Sequence, residues 1–568
     1  MRRFFGALLL FVSASAFAAE TSTESDRLLA TGKLWFTIKY FHPYLAYQDI
    51  DWDKALVDAL PAIRAAKTAA EYSAALHSML EALHDPASHI ASENKTQRDS
   101  HESETSGQRT WVHDSFHSAF YTKAGTTESA TLVMGEGVNA TIRLSEPVPA
   151  ADSRPAYPAP KSERAYNESQ YPSTELRILA AYKIWGMVHY FFAYRDLMDE
   201  DWDDLLPAFL PKFIAAKDGR EYNLVVAEMV SHMADSHAIV ESEALTSFFG
   251  KAPVGLRLRL VERKPLVTEI LDEDAKQAGV QVGDIVSKVD GESLVDRFRR
   301  ETPYMAASTQ QSLGNLVIER ILNGPEDSTS TLTITDREGR THEVHLKRSS
   351  RYFAALRNQR TGEIIKRLAT NVGYADLDRL MPDQVDSMFE QLRDTKAILF
   401  DMRGCPHESM ATLASRLTDE HEVPTAIFTG PLALSPDIST GRTLTSTASY
   451  FFVEKLPESA LWKYKGKTAM LIDERTIGEA EHTGLFLEVA NKTAFVGSAS
   501  AGADGEVTRF VVPGGITIHF SGRDVRHANG GKLQRLGLQP NVNVTPTIQG
   551  IRSGRDEVLE KAVEYVSK

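Results

Sequence analysis

Residue types able to do chemistry gather in the last third of this chain. The stretch 468–505 reads TAMLIDERTIGEAEHTGLFLEVANKTAFVGSASAGADG. Its apolar run 469–472 predicts a buried strand, followed by a short charged turn and an amphipathic helix near 479–489. Strand, tight turn and helix lift one residue onto the rim of a sheet beside a helix N-terminus, a placement suited to a nucleophile and an oxyanion. The residue lifted here is Gly478, which has no side chain to offer. Thr476 sits two residues too early to reach that helix end. Ser498 and Ser500 lie in a Gly-rich loop and read as turn hydroxyls bonding backbone. For His482, on the helix, both a cleft-lining place and an ordinary helix-surface place are open. Asp401 and Arg403 follow another apolar run, 397–400, where they would brace loops or where the guanidinium would meet a substrate carboxylate. Metal hydrolysis lacks its ligands: His117, His519 and His527 are scattered, and no His-Glu-x-x-His helix exists. The single cysteine, Cys405, excludes a cysteine-cluster zinc site and intrachain disulfides. No metal and no cofactor is expected.

Several elements must position these residues. From about 351 the chain alternates strands and helices, which predicts an α/β domain over 351–568 with a largely parallel sheet. Its strands are expected near 397–400, 426–428, 469–472 and 494–496, with a hairpin over 507–520 through Pro513-Gly514-Gly515 and a closing helix at 556–566. Upstream lies an internal repeat. DWDKALVDALPAIRAAKTAAEY begins at Asp51 and DWDDLLPAFLPKFIAAKDGREY at Asp201, an offset of 150. Leu76, Met79, Leu80 and Leu83 have helical spacing, as do Val226, Met229, Val230 and Met233. Two all-α units follow, 26–95 and 175–245. The 96–174 region between them reads as a polar insert with a few short strands, 130–134 and 140–144 among them, and a Pro-rich linker. A β-rich module occupies 252–350. Its run Ala278-Gly279-Val280, Val282-Gly283-Asp284, Val289-Asp290-Gly291 resembles a PDZ domain, a fold that takes a peptide as an added strand. Gly255, Leu256 and Arg257, at the start of its first strand, are the candidate peptide-binding residues.

Composition narrows the partners. The chain has 568 residues, and 63 Lys and Arg against 77 Asp and Glu give a net charge of -14. That charge argues against a nucleic-acid or anionic-membrane binder. Arg2 and Arg3, the apolar run 4–12 and Ala16-Phe17-Ala18 read as a secretory signal over 1–18, cut after Ala18. The run is too short to span a bilayer comfortably and no later one is long enough, so stable membrane insertion is not expected. The expected address is periplasmic or secreted; a retained N-terminal anchor is the alternative.

The pieces MADSHA, GVQVGD, ILFDMRG, TIGEAEHTG, FVGSASAGA and RLGLQPNV, in this order, resemble the tail-specific, or C-terminal processing, protease family. The nearer likeness is to its tricorn-like serine-type branch, which also includes retinoid-binding carriers, and it covers about 175–568. The resemblance implies a multidomain chain: helical units, a PDZ-like β module and a C-terminal α/β domain of crotonase-like or ClpP-like type. It implies acyl transfer by a serine at the strand–helix turn. In Asp235-Ser236-His237 the implied base is His237; the first copy, Asp85-Pro86-Ala87-Ser88-His89, has extra residues, so His89 is not expected to act. The pattern Thr-x-Ser-x-Ala-Glu meets Thr476-Ile477-Gly478-Glu479-Ala480-Glu481, which makes Gly478 a vacant nucleophile position and leaves Glu479 as a backbone oxyanion donor. The supporting Glu of the tricorn-like pattern falls on Gln534, the Asp of its Gly-x-x-Pro-Asp on Asn541, and the loop 497–508 carries no lysine. Three functions remain open: a polypeptide binder with proteolysis lost or very weak, a peptidase with a relocated nucleophile or a water directed by His237 and Glu479, and a carrier of an apolar ligand such as a lipid.

Overall fold

The computed structural model describes residues 23–91, 108–116, 118–122, 128–147, 166, 170–357, 360–436 and 447–568. The leader, most of the polar run 94–108, most of the linker and His117 lie outside the described residues.

Both copies of the repeat share three helices at an unchanged offset, and the first adds a short one, Pro43–Tyr47. The first has Glu24–Phe41, Trp52–Ala65 and Ala69–Glu81; the second has Thr174–Phe191, Trp202–Ala215 and Gly219–Ser231. Side-chain caps start every one, from Thr23, Asp51 and Thr68 to Ser173, Asp201 and Asp218. The same indole bond locks each copy: Trp52 Nε1 donates to the Trp35 carbonyl at 2.9 Å and Trp202 Nε1 to the Trp185 carbonyl at 2.8 Å. The copies then meet through complementary substitutions. A β-carbon on Gly32 would lie 2.6 Å from the Tyr182 ring, and one on Gly186 would lie 1.9 Å from the Phe36 ring. Gly32 aligns with Tyr182 and Phe36 with Gly186 in the repeat, so each glycine receives the aromatic ring of the other copy. One continuous core joins both units.

The β-rich module is an antiparallel sheet in the order Thr341–Lys347, Thr329–Thr335, Ile285–Val289, Lys264–Ile270, Leu256–Val261. Leu256–Val261 is therefore an edge strand, and the helix Gln310–Ile318 packs beside it.

The C-terminal sheet runs Ile365–Leu368, Val372–Asp376, Ala397–Asp401, Lys467–Ile472, Ala494–Gly497, Val542–Asn543. Its first strand is antiparallel and the rest are parallel. Alternation divides it between two cores. Met470 and Ile472 face the helices Val385–Leu392 and Glu479–Asn491, while Ala469 and Leu471 face Glu557–Ser567. The run expected as a sheet strand at 426–428 departs from this plan. It belongs to Pro424–Ala433, which pairs antiparallel with Thr447–Lys455 and Asp524–His527 and meets Gln108–His113 through Ala433 and His113. Its Phe428 ring lies against His482 of the helix Glu479–Asn491, so the strand crosses that helix instead of extending the parallel sheet. Among the described residues, no helix is long and apolar enough to cross a membrane.

Candidate functional site

Lys467–Ile472 ends at a turn that leads into the helix Glu479–Asn491. At the turn Gly478 has φ 57° and ψ −119°, a left-handed conformation that a β-carbon strains. The turn is braced on each side. Thr476 is fully buried; its hydroxyl donates to the Met402 carbonyl at 2.8 Å and accepts the Asp473 N–H at 3.1 Å. The Gly478 N–H donates to the Ala503 carbonyl at 2.8 Å. Glu479 opens the helix, and burial raises its carboxyl pKa.

The second helical unit delivers His237 to this turn. Val240–Glu241, just after it, pairs antiparallel with Ile516–Ser521 of the C-terminal hairpin. A β-carbon built on Gly478 would lie 3.1 Å from His237 Nε2. On the far side of the ring, Nδ1 meets Ser521 Oγ at 3.0 Å. Asp235, wholly buried, does not touch the ring: it accepts the His237 N–H at 3.1 Å, the Ser521 N–H at 2.9 Å and Gln534 Nε2 at 3.2 Å. Gln534 is buried beneath this cluster and also donates to Ser308 Oγ at 3.2 Å.

Glu481 ties the loop 497–505 to the elbow. Its carboxylate accepts from Ser500 Oγ, from the Gly502 N–H at 2.8 Å, the Ala503 N–H at 2.9 Å and the Gly478 N–H at 3.3 Å. Full burial pushes its pKa up to about 7 against these donors. Ser500 also accepts the Leu538 N–H at 2.6 Å, so its hydroxyl is fully engaged. His482 is buried rather than on the helix surface. Nδ1 bonds Asp504 at 2.9 Å and Nε2 bonds Glu454 at 2.6 Å. Burial alone would lower its pKa; the two carboxylates overcome that and hold it at about 10.

Asp401 and Arg403 sit inside a charge network away from solvent. Arg403 grips Asp401 at 2.6 and 2.9 Å and Asp556 at 2.7 and 3.0 Å, and Arg360 and Tyr374 approach Asp401 as well. Both Arg403 forks are thereby occupied, which is the bracing contact and leaves no free fork for a ligand. His89 is exposed, whereas Asp85 is buried with His42, Ser88 and Arg143. Among the described residues no group of His, Cys, Asp or Glu converges as a metal site.

Between the edge strand Leu256–Val261 and the residues beside the elbow lies a cavity of about 990 Å³. Leu256 and Arg257 line it, together with Ile318, Phe353 and Cys405. Gly255 does not line it; it abuts Asp272 and Tyr352. Arg259, on the same strand, crosses to the elbow turn and donates to Asp473 at 3.0 Å and Glu474 at 2.7 Å. Sequence reasoning had no signal for Ser521, Glu454, Asp504 or Arg259, because each acts on a partner more than twenty residues away across a loop, a ladder or a module boundary. Glu481 lies within TIGEAEHTG, and its place at N3 after the turn is the clue the sequence offers.

The helical units, the module with an open edge and the sheet that carries an elbow make a fold of the tail-specific protease kind. Mature CPAF is similar at 14% identity over 70% of this chain and 96% of its own, with a TM-score of 0.52. A CPAF mutant is similar at 15% identity over 70% and 98%, with a TM-score of 0.54. The photosystem II D1 C-terminal processing protease is similar at 13% identity over 65% and 93%, with a TM-score of 0.40. The likeness is one of fold. No protein-family model and no curated protein matches the chain.

Proposed function

We propose that this is an exported polypeptide-binding protein built on a serine-peptidase fold, in which proteolysis is lost or very weak because Gly478 stands in the nucleophile's place. One observation carries the reading: the His237 imidazole faces, at 3.1 Å, a β-carbon position that glycine leaves empty. Loss of a nucleophile costs roughly 10⁶-fold in rate. Neighbouring groups are poor substitutes. The hydroxyls of Thr476 and Ser500 are committed to Met402 and Glu481. Burial and the charge of Glu479 push the Cys405 thiol up, away from the reactive thiolate.

Binding machinery remains. The antiparallel module is read as PDZ-like and the C-terminal domain as crotonase-like or ClpP-like. The open edge of Leu256–Val261 suits an extended chain added as a strand, with Leu256 and Arg257 against it and Gly255 packed behind. The Glu479 N–H, at the helix start, would meet a carbonyl oxygen of that chain. Gln534 supports Asp235, and Asp401 with Arg403 braces the sheet end. Residues 1–18 direct export to the periplasm or medium, which a mature N-terminus at Ala19 would verify. The test incubates the purified protein with unfolded polypeptide and with a fluorophosphonate probe. Retention of polypeptide without cleavage or labelling is expected; cleavage together with labelling by the natural protein overturns the reading.

A further inference from the structure

The His237 ring has two faces, and the second explains what the first offers. Nδ1 meets Ser521 Oγ at 3.0 Å. Ser521 is wholly buried, and among the described residues its hydroxyl has no other hydrogen-bond partner. Asp235, the nearest carboxylate, takes the Ser521 backbone N–H, the His237 backbone N–H and the Gln534 amide instead. Among the described residues, no charged acceptor therefore reaches Nδ1.

A carboxylate at Nδ1 accepts only and fixes the proton there, which leaves Nε2 with the lone pair a base needs. A hydroxyl carries a proton of its own. If Nδ1 held the ring proton, the Ser521 O–H would be buried without an acceptor, a penalty that biases the tautomer ratio on the order of tenfold to a hundredfold. If instead Ser521 donates to Nδ1, the hydroxyl is satisfied and the ring proton sits on Nε2. Nε2 points at the empty position beside Gly478.

We propose that Ser521 holds neutral His237 in the tautomer protonated on Nε2, so that the elbow presents a hydrogen-bond donor for an acyl oxygen of a bound polypeptide, where a hydrolase of this fold would present a base. This rests on the reading of the site as one that binds without cleaving. Ser521 is a positioning residue: it acts on the ligand only through the ring. Gln534 fits the same arrangement, since its amide N–H faces Asp235 at 3.2 Å where a carboxylate would repel it.

The test reads the ring nitrogens directly. The full chain is labelled with ¹⁵N-histidine and the His237 signals are assigned by their loss in His237→Gln. At a pH where the ring is neutral, the proton is expected on Nε2, and Ser521→Ala should bring the Nδ1-protonated form up to a comparable population. A proton on Nδ1 in the natural protein overturns the proposal. A second readout compares fluorophosphonate labelling of Gly478→Ser with and without Ser521→Ala. Freeing the ring should raise the labelling rate up to about tenfold; an unchanged or lower rate overturns the proposal, because a supporting hydroxyl would be missed. The two readings fail separately. If Nδ1 carries the proton while polypeptide is bound uncleaved, only the tautomer is wrong; if the natural protein cleaves polypeptide, the binding reading falls whatever the ring shows.

Discussion

Val240 pairs with Ile518 across the ladder that joins the second helical unit to the C-terminal hairpin. Counting three residues back on one strand and three forward on the other arrives at His237 and Ser521, the pair in contact at 3.0 Å. The register of two short strands thus places the ring, its partner and its distance from the elbow. Ile518→Ala should cost about 2–5 kcal/mol of stability as a buried truncation. In a Gly478→Ser background it should also slow fluorophosphonate labelling of the protein that remains folded. Denaturant titration gives the first quantity and labelling normalised to folded fraction the second.

Gly478→Ser alone should create reactivity where there was none. The β-carbon would meet Nε2 at 3.1 Å, so the ring must give by a few tenths of an ångström. The expected labelling rate is at least about 100-fold above the natural protein, a small part of what a nucleophile contributes. Strain at φ 57° should lower stability by about 1–3 kcal/mol. A variant that is less stable yet unreactive would place the fault at His237 or Gln534.

His482 makes stability depend on pH. Its folded pKa, about 10, is raised above the ordinary 6.5. The stabilisation is therefore fully present below pH 6.5 and is lost as pH rises from 6.5 through about 10. Over that window the natural protein should lose up to about 5 kcal/mol, and His482→Gln should be less stable at pH 6 but nearly level across the same range. Urea melts at three pH values decide it.

How far the sequence could be read follows from the range of each interaction. The helical units were legible because a repeat and a 3.6-residue period are local properties: offset 150 carries over to the boundaries of the three shared helices, as from Glu24–Phe41 to Thr174–Phe191. The elbow was legible because an apolar run, a glycine and a helix follow one another directly. The run at 426–428 misled, since an apolar strand does not state which sheet it joins; Thr447–Lys455 and Asp524–His527 claim it. For His482 the sequence leaves a cleft-lining and a helix-surface place equally open, because its partners Glu454 and Asp504 are distant in the chain. Ser521 was invisible for the same reason, being set by a register between strands.

Arg259 links the binding edge to the elbow. It is largely buried and bonds Asp473 and Glu474, while Arg475 also holds Asp473. Arg259→Met leaves Glu474 without this partner and should cost about 2–4 kcal/mol, less than a fully abandoned buried charge because Arg475 stays. Thermal denaturation measures the loss, and a change within about 0.5 kcal/mol would show that the cross-module pair is only a surface contact.

Phe353 offers the opposite separation, of binding from stability. It lines the cavity beside the edge strand yet is 40% exposed. An extended chain laid along Leu256–Val261 would cover it, and covering an aromatic ring contributes about 1.5–3 kcal/mol when burial is complete. Since part of the ring is already buried, Phe353→Asp should weaken polypeptide affinity about tenfold by fluorescence anisotropy and leave the unfolding midpoint almost unchanged. Equal affinity for the two proteins would place the bound chain elsewhere, because a chain that covers the ring loses that apolar contact when the ring is removed.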